Sequence, residues 1–238
     1  MRGMTPCPQS VARAPSPCAP SDCDVAFEVS AADVADALAR LEQDDALALP
    51  LIGPRLRHRL LRAAARLAFR PAQPVIGEGA NAVYQEFDLC TAIPARSPFR
   101  AVAGAFTDLL AAALGHLDPP PLAQPPVFND LIVQRYARGA LGITPHRDHI
   151  RYRGLIALVT LCGAARFHVC ADRAGSKARE IPAPAGSVVL MRAPDFAGRP
   201  DRPFHFLCDV TARRISFGLR HDARMPAAAR AHIPPGLT

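Results

Sequence analysis

The 238-residue chain contains no tryptophan, three tyrosines and a single lysine, Lys177. The first two scarcities leave few aromatic platforms for stacking on a base or a sugar. The third means that arginine supplies nearly all of the positive charge, and the formal net charge is +7. That balance permits an anionic partner such as nucleic acid. Together with abundant alanine and 25 prolines, it fits GC-rich coding equally well. No Cys-x-x-Cys spacing occurs among the seven cysteines, which argues against a zinc ribbon or a dithiol redox pair. No stretch reaches the ~20 apolar residues of a membrane span, and the N-terminal segment lacks the apolar core of a secretory signal. Acids are absent before Asp22, which leaves an organellar transit peptide open. "IGEGANAV" carries Gly77 and Gly79 without the rest of a dinucleotide fingerprint, and reads as a loop or hairpin turn.

What is present is core-forming material. Half of the residues are hydrophobic and the mean hydropathy is +0.08, enough for one sizeable core with or without a subdomain. Cys162, Cys170 and Cys208 lie in apolar runs and read as buried small hydrophobes. Cys7, Cys18 and Cys23 lie in a tail. This is the usage of a reducing compartment, so a cytoplasmic location with no membrane association is expected.

Residues 1–24, rich in Pro, Ser and Ala, are expected to be disordered. Residues 25–127 read as helical support. In "VSAADVADALARLEQ" Ser30 can cap a helix, Asp33 suits its first turn, and Val34, Leu38 and Leu41 form a stripe. "GPRLRHRLLRAAARLAFRP" opens with Pro54 and puts Leu56, Leu60, Ala64 and Leu67 on one face. "SPFRAVAGAFTDLLAAALGHL" starts at Ser97 and Pro98, with a stripe of Val102, Phe106, Leu109, Ala113 and Leu117. "AVYQEFDL" reads as a strand that extends a sheet. From Phe128 the periodicity shortens. "LIVQRYA", "LIALVTLC", "RFHVCA", "SVVLMRA", "PFHFLCDV" and "RISFGLR" are short β-rich runs punctuated by Gly, Pro and Asp, the pattern of an antiparallel sandwich or barrel over residues 128–222. Residues 223–238 read as a C-terminal tail.

Three features in the β-rich half carry chemistry. In "ITPHRDHIRYRG", His146 and Asp148 are two apart, so on an extended strand they share a face about 6–7 Å apart. The pair can be a metal site or a plain His–Asp hydrogen bond. His205, in "RPFHFL", offers a third ligand. Two histidines and a carboxylate bind one face of an octahedral Fe(II) and leave three positions open. The bland alternative for His205 is a core histidine that donates to a backbone carbonyl. In "RRISFGLRHD", Arg214, Ser216, Gly218 and Arg220 alternate along one strand. Two arginines facing the inside of a small barrel are costly unless an anion pairs with them, and a dicarboxylate would do so bidentately. Otherwise the strand is an edge with both arginines in solvent.

Together, His146-x-Asp148, His205 and Arg214-x-Ser216-x-x-x-Arg220 resemble the Fe(II)/2-oxoglutarate dioxygenase superfamily, and most closely its AlkB-like branch of nucleic-acid demethylases. "VQRYARGALGITPHRD" resembles the branch's Asn-Arg-Tyr strand, with Gln134 in place of Asn and Tyr136 kept. "GLIALVTLCGAARFHV" resembles the strand–Gly–strand that follows, and "PAGSVVLMRA" the turn and strand before the distal histidine. The resemblance covers residues 128–222. It implies an α+β chain with a double-stranded β-helix (jelly-roll) core and N-terminal supporting helices. It also implies Fe(II), 2-oxoglutarate as cosubstrate and O2. His146, Asp148 and His205 would bind iron. Arg214 would pair with the distal carboxylate of 2-oxoglutarate, helped by Tyr136 and Gln134, with Ser216 and Arg220 beside it. The departure at Gln134 bears on that one contact.

The branch implies oxidative demethylation of N-alkylated nucleobases, preferably in single strands, where an unpaired base costs least to expose. Arg151 and Arg153 are the expected phosphate contacts, and Tyr84, Tyr152 and His149 the expected stacking or lining groups. The segment 75–99 lies where the branch carries a substrate lid. Two other readings stand beside this one: a 2-oxoglutarate-dependent hydroxylase of a protein side chain or small metabolite, and a non-catalytic binding module on the same fold. The complete ligand set argues against the last. The sequence leaves the oligomeric state open.

Overall fold

A computed structural model describes residues 25–225. The expectations for the 1–24 tail, for Cys7, Cys18 and Cys23, and for most of the 223–238 tail lie outside the described residues. In chain order the elements are α1 (Ala31–Leu41), β1 (Ala46–Pro50), α2 (Pro54–Ala64), β2 (Arg70–Pro71), β3 (Val75–Ile76), β4 (Val83–Glu86), β5 (Asp88–Cys90), α3 (Pro98–Leu114), β6 (Asp130–Tyr136), β7 (Gly142–His146), β8 (Leu155–Cys170), β9 (Arg179–Glu180), β10 (Ser187–Arg192) and β11 (Phe204–Arg220).

The three helices form where their stop and start signals stand. Ser30 and Asp33 make a reciprocal capping box: Asp33 N donates to Ser30 Oγ at 3.2 Å and Ser30 N donates to the Asp33 carboxylate at 2.8 Å, satisfying two otherwise orphaned donors. Pro54 opens α2, and Ser97 caps α3 ahead of Pro98. Their buried faces carry Leu38, Leu41, Leu60, Phe99, Val102, Phe106 and Leu110.

The strands are all antiparallel and form two layers joined by their longest members. One layer has the order β1–β10–β8–β11–β6–β5–β2. There β8 contributes Leu155–Cys162, and β11 contributes Arg214–Arg220. The other layer has β9 on β8 at Val169 and His168, β8 on β11 at Phe204–Cys208, β11 on β7, β7 on β4 and β4 on β3. Thus β8 and β11 run through both layers, and their register shifts between Cys208 and Ile215 where they cross. Gly163 sits at that crossing with φ +85°. The two pairs of short runs expected as separate strands are therefore two continuous strands, each bent by an irregularity instead of being cut by a turn. The sheet also draws β1, β2 and β5 from the segment 25–127, whose sequence carries mostly helical periodicity.

Alternation along each strand sorts two cores. Leu155, Ala157, Val159 and Leu161 of β8, Val188 and Leu190 of β10, and Ile215, Phe217 and Leu219 of β11 pack with the helices. Ile156 of β8, Val189 and Met191 of β10, and Phe167, Val169 and Leu207 from the second layer pack together between the sheets. The same alternation turns Arg214, Ser216, Gly218 and Arg220 toward the inter-sheet space, since their neighbours face the helices. The arginine strand is thus interior and central, and the edge-strand alternative falls.

A Cβ at Gly163 would collide with the Arg213 carbonyl and the Arg214 backbone, and the residue needs positive φ. Gly163→Ala is expected to destabilise by about 2–3 kcal/mol, read as a lower urea midpoint at unchanged slope. A midpoint equal to the parent's would show that the crossing tolerates a side chain.

Candidate active site

The end of β7 and the start of β11 lie side by side, with His146 directly opposite His205 in the register. Their rings are 4.2 Å apart, centroid to centroid. Asp148 follows β7 by two residues and turns back to the same point. One ligand atom from each of His146, Asp148 and His205 lies within 4.8 Å of the others. A direct His–Asp hydrogen bond is not among the contacts that Asp148 makes. Its Oδ2 accepts from Arg220 Nε at 3.2 Å, and its main-chain carbonyl accepts from Arg202 Nε at 2.6 Å.

The imidazoles are presented as neutral ligands. His146 Nδ1 meets the Thr144 carbonyl at 2.9 Å. A carbonyl only accepts, so Nδ1 carries the proton and Nε2 keeps its lone pair for the cluster. His205 Nδ1 is buried without a well-formed hydrogen bond, although the backbone of Pro203 acts on the ring. Burial, followed by the neighbouring His146, pushes His205 down to about 3. Burial also lowers His146, against the pull of Asp148. For Asp148 burial works upward, but Arg220 and the two imidazoles outweigh it and hold the carboxyl at about 2. An ionised carboxylate between two neutral imidazoles, all three aimed at one point, is the donor set that suits a divalent transition metal. The three residues fit such an ion.

Behind this cluster lies a second polar group. Arg214 is 5% exposed, and its Nη2 donates to Thr160 Oγ1 at 3.2 Å. Its guanidinium lies 5.5 Å from the ring of Tyr136. Among the described residues no carboxylate pairs with Arg214, and burial works against its charge. Tyr136 is buried, which pushes its hydroxyl up to about 12, so it stands as a neutral donor. Ser216 Oγ donates to Gln134 Oε1 at 3.5 Å, across a direct β11–β6 pairing. Arg220 is tied to Asp148, and its Nη1 is buried without a partner. The two arginines that sequence alone leaves equivalent therefore differ. Arg214 is the buried cation with no anion, and Arg220 holds the cluster's carboxylate.

The residues expected to meet substrate fare differently. Arg151 is engaged by Asp222 at 2.9 Å and Asp130 at 3.7 Å, and it donates to Tyr152 Oη at 2.7 Å. Arg153 pairs with Asp195 at 3.3 Å. Tyr152 is buried and donates to Asp130 at 2.6 Å; its ring lies 5.5 Å from the Arg220 guanidinium. These three, read from sequence as phosphate contacts and a stacking group, have intramolecular partners that brace the segment after Asp148. The reason is that Asp130 and Asp222, remote in sequence, converge on them. His149 is exposed, with Nδ1 accepting from Arg151 N. Tyr84 is 52% exposed on β4, beside β7. Thr160 and Arg202 were not anticipated. Thr160 left a trace, being the polar residue inside "LIALVTLC"; Arg202 left none.

No family model matches the chain, and no curated protein matches its sequence. Its fold has solved counterparts. A prolyl hydroxylase from Trichoplax adhaerens, in complex with a hypoxia inducible factor oxygen degradation domain peptide fragment, superposes with TM-score 0.60 at 12% identity, covering 81% of this chain and 90% of that one. A Pseudomonas putida prolyl-4-hydroxylase gives 0.56 at 14%, covering 79% and 98%. An oxidoreductase of the 2OG-Fe(II) oxygenase family from Burkholderia pseudomallei gives 0.56 at 15%, covering 85% and 95%. The class defined is thus the jelly-roll fold of the 2OG-Fe(II) oxygenases. The likeness is one of fold, and it does not confirm the AlkB-like branch expected from the sequence. No helix among the described residues is long and apolar enough to cross a membrane.

The neutral histidines set a pH dependence. In chelator-treated protein, the unfolded chain takes up protons at His146 and His205 below the ordinary value near 6.5, while the folded His205 resists down to about 3. The unfolded state then binds more protons, so stability falls as pH falls through that window, by up to about 1.4 kcal/mol per pH unit for each histidine. Asp148 adds its loss only between its ordinary 3.8 and about 2. His205→Phe is expected to flatten the slope of unfolding free energy between pH 6 and 4.5, measured by urea titration. An unaltered slope would contradict the neutral, buried imidazole.

Proposed function

We propose that the chain is an Fe(II)- and 2-oxoglutarate-dependent oxygenase that hydroxylates a protein side chain or a small metabolite. The observation that carries this reading is the convergence of His146, Asp148 and His205 to within 4.8 Å, at one end of a jelly roll whose interior holds the unpaired Arg214. In this reading the three residues hold Fe(II), and Arg214 takes the distal carboxylate of 2-oxoglutarate. Thr160 fixes the Arg214 fork, and Tyr136 stands by as a neutral donor. A dicarboxylate that bridges the two groups answers the cost of burying Arg214. Arg220 has a separate task. By holding Asp148 Oδ2 it leaves the other carboxylate oxygen free for the metal and keeps the group ionised. Bound Fe(II) and 2-oxoglutarate supply oxidative decarboxylation coupled to O2 activation, the source of oxidising power for C–H hydroxylation.

Hydroxylation is favoured over nucleobase demethylation for two reasons. The arginines and tyrosine expected to meet nucleic acid, Arg151, Arg153 and Tyr152, are engaged by Asp130, Asp222 and Asp195. The solved counterparts include prolyl hydroxylases, one bound to a peptide, which favours the protein side chain among the hydroxylase substrates. A binding module without activity is disfavoured by the intact donor set.

Two measurements test the assignment. Asp148→Ala is expected to abolish calorimetric Mn(II) binding under anaerobic conditions and succinate release with Fe(II), while the fold persists by circular dichroism; undiminished Mn(II) affinity would remove the triad. Arg214→Lys is expected to raise the apparent KM for 2-oxoglutarate, by the equivalent of about 2–5 kcal/mol for a buried charge-assisted pair. If Arg220→Ala raises that KM and Arg214→Lys does not, the two arginines exchange roles.

A further inference from the structure

Six arginines of the sheets and their loops, Arg135, Arg151, Arg153, Arg166, Arg192 and Arg220, each have a carboxylate partner. Three others beside the candidate active site do not. Phe204, the residue before His205, carries the Arg147 guanidinium 4.1 Å from its ring centroid and the Arg173 guanidinium 5.7 Å from it. Arg202, two residues before Phe204, donates to the Asp148 carbonyl. Among the described residues no acid lies within ion-pair distance of Arg147, Arg173 or Arg202. The neighbouring acids are engaged elsewhere: Asp172 accepts from Ser176 N at 3.0 Å, and Asp148 is held by Arg220. Arg173 Nη1 is buried without a hydrogen-bond partner. Arg147 and Arg173 share one ring, and Arg202 lies close enough to Arg147 to feel its charge; like charges so placed repel one another and call for a counter-charge. Burial and the adjacent Arg147 both work against the Arg202 charge.

We propose that Arg147, Arg173 and Arg202 form an anion site and that the prime substrate is anchored there by a carboxylate. The proposal rests on the oxygenase reading and adds the substrate class. Two features select a carboxylate over a nucleic-acid backbone. Arg147 and Arg173 meet on a single ring, and the arginines that would extend the group into a row, Arg151 and Arg153, are ion-paired with Asp222 and Asp195. A planar fork pairs with a carboxylate through two parallel hydrogen bonds. Arg202 donates to the Asp148 carbonyl, and Arg147 stands between His146 and Asp148 in the chain, so the anion site borders the residues that would hold the iron. A free carboxylic acid or an Asp or Glu side chain of a peptide supplies that chemistry.

The test uses the full chain loaded with Mn(II) and saturating 2-oxoglutarate, titrated calorimetrically with four probes: N-acetylglutamate, the peptide Ac-Ala-Glu-Pro-Glu-Ala-NH2, its Gln-for-Glu counterpart, and dT8. At least one acidic probe is expected to bind, and to lose affinity by about tenfold or more when Glu becomes Gln. The same loss is expected in the variant Arg147→Gln/Arg173→Gln, or in Arg147→Gln alone should the double variant not fold, while 2-oxoglutarate affinity stays at the parent value. Binding of the peptide alone assigns a side-chain source, and binding of N-acetylglutamate as well assigns a free acid. Failure of both acids to bind, equal affinity for the neutral peptide, or full affinity in the variant overturns the proposal. Binding of dT8 alone overturns it in favour of a nucleic-acid partner. Absence of Mn(II)-dependent 2-oxoglutarate binding overturns the underlying oxygenase reading as well.

Discussion

The pairing of β8 with β11 is the constraint on which the rest of the molecule depends. These strands are 16 and 17 residues long, well beyond the usual strand length of about 5–6 residues. They stay paired through the crossing from one layer to the other. At one end β11 sets His205 against His146; at the other it carries Arg214, Ser216 and Arg220 past β6, with Tyr136 opposite Arg214 and Gln134 opposite Ser216. A slip of one residue would turn every one of these side chains to the opposite face. The helices hold the register indirectly, because Ile215, Phe217 and Leu219 must meet them.

Electrostatics at the site follows from that placement. A buried arginine is tolerated only where something answers its charge. Arg192 is answered within the fold by Asp45 and Asp201, and Arg220 by Asp148. Arg214 has only neutral neighbours, Thr160 and Tyr136. That difference separates two arginines six residues apart on one strand: one has its counter-charge within the fold, the other does not.

Much of this was legible from the residues, and the limits are instructive. The helices carry their signals locally: Ser30 with Asp33, Pro54, and Ser97 with Pro98. The inward arginines were legible because Ile215, Phe217 and Leu219 claim the opposite face of the same strand. The fold and the grouping of His146, Asp148 and His205 followed from several motifs taken together, since none is specific alone. The continuity of β8 and β11 was hidden, because a glycine such as Gly163 marks a turn as readily as a bend. The ion pairs of Arg151 and Arg153 and the hydrogen bond of Tyr152 were hidden for a related reason. Whether an arginine is free or paired depends on acids such as Asp130, Asp195 and Asp222, which approach only through the fold. The short strands β1 and β2 join the sheet at its ends, and their sequences are too brief for any period to register; β4 and β5 fall on the "AVYQEFDL" run that reads as a strand.

Because β11 is both the central strand and the bearer of His205 and Arg214, the order of assembly has a chemical consequence. Its partners β6, β7 and β8 lie far upstream, so β11 pairs only after long stretches of chain have been drawn together, the kind of non-local contact that forms slowly. Before that step the candidate site has two of the three clustered side chains, His146 and Asp148, and neither arginine. On the proposed reading, a partly folded chain would lack the set that holds iron and cosubstrate together, and their oxidising power would be withheld until the strand that closes the sheet is in place.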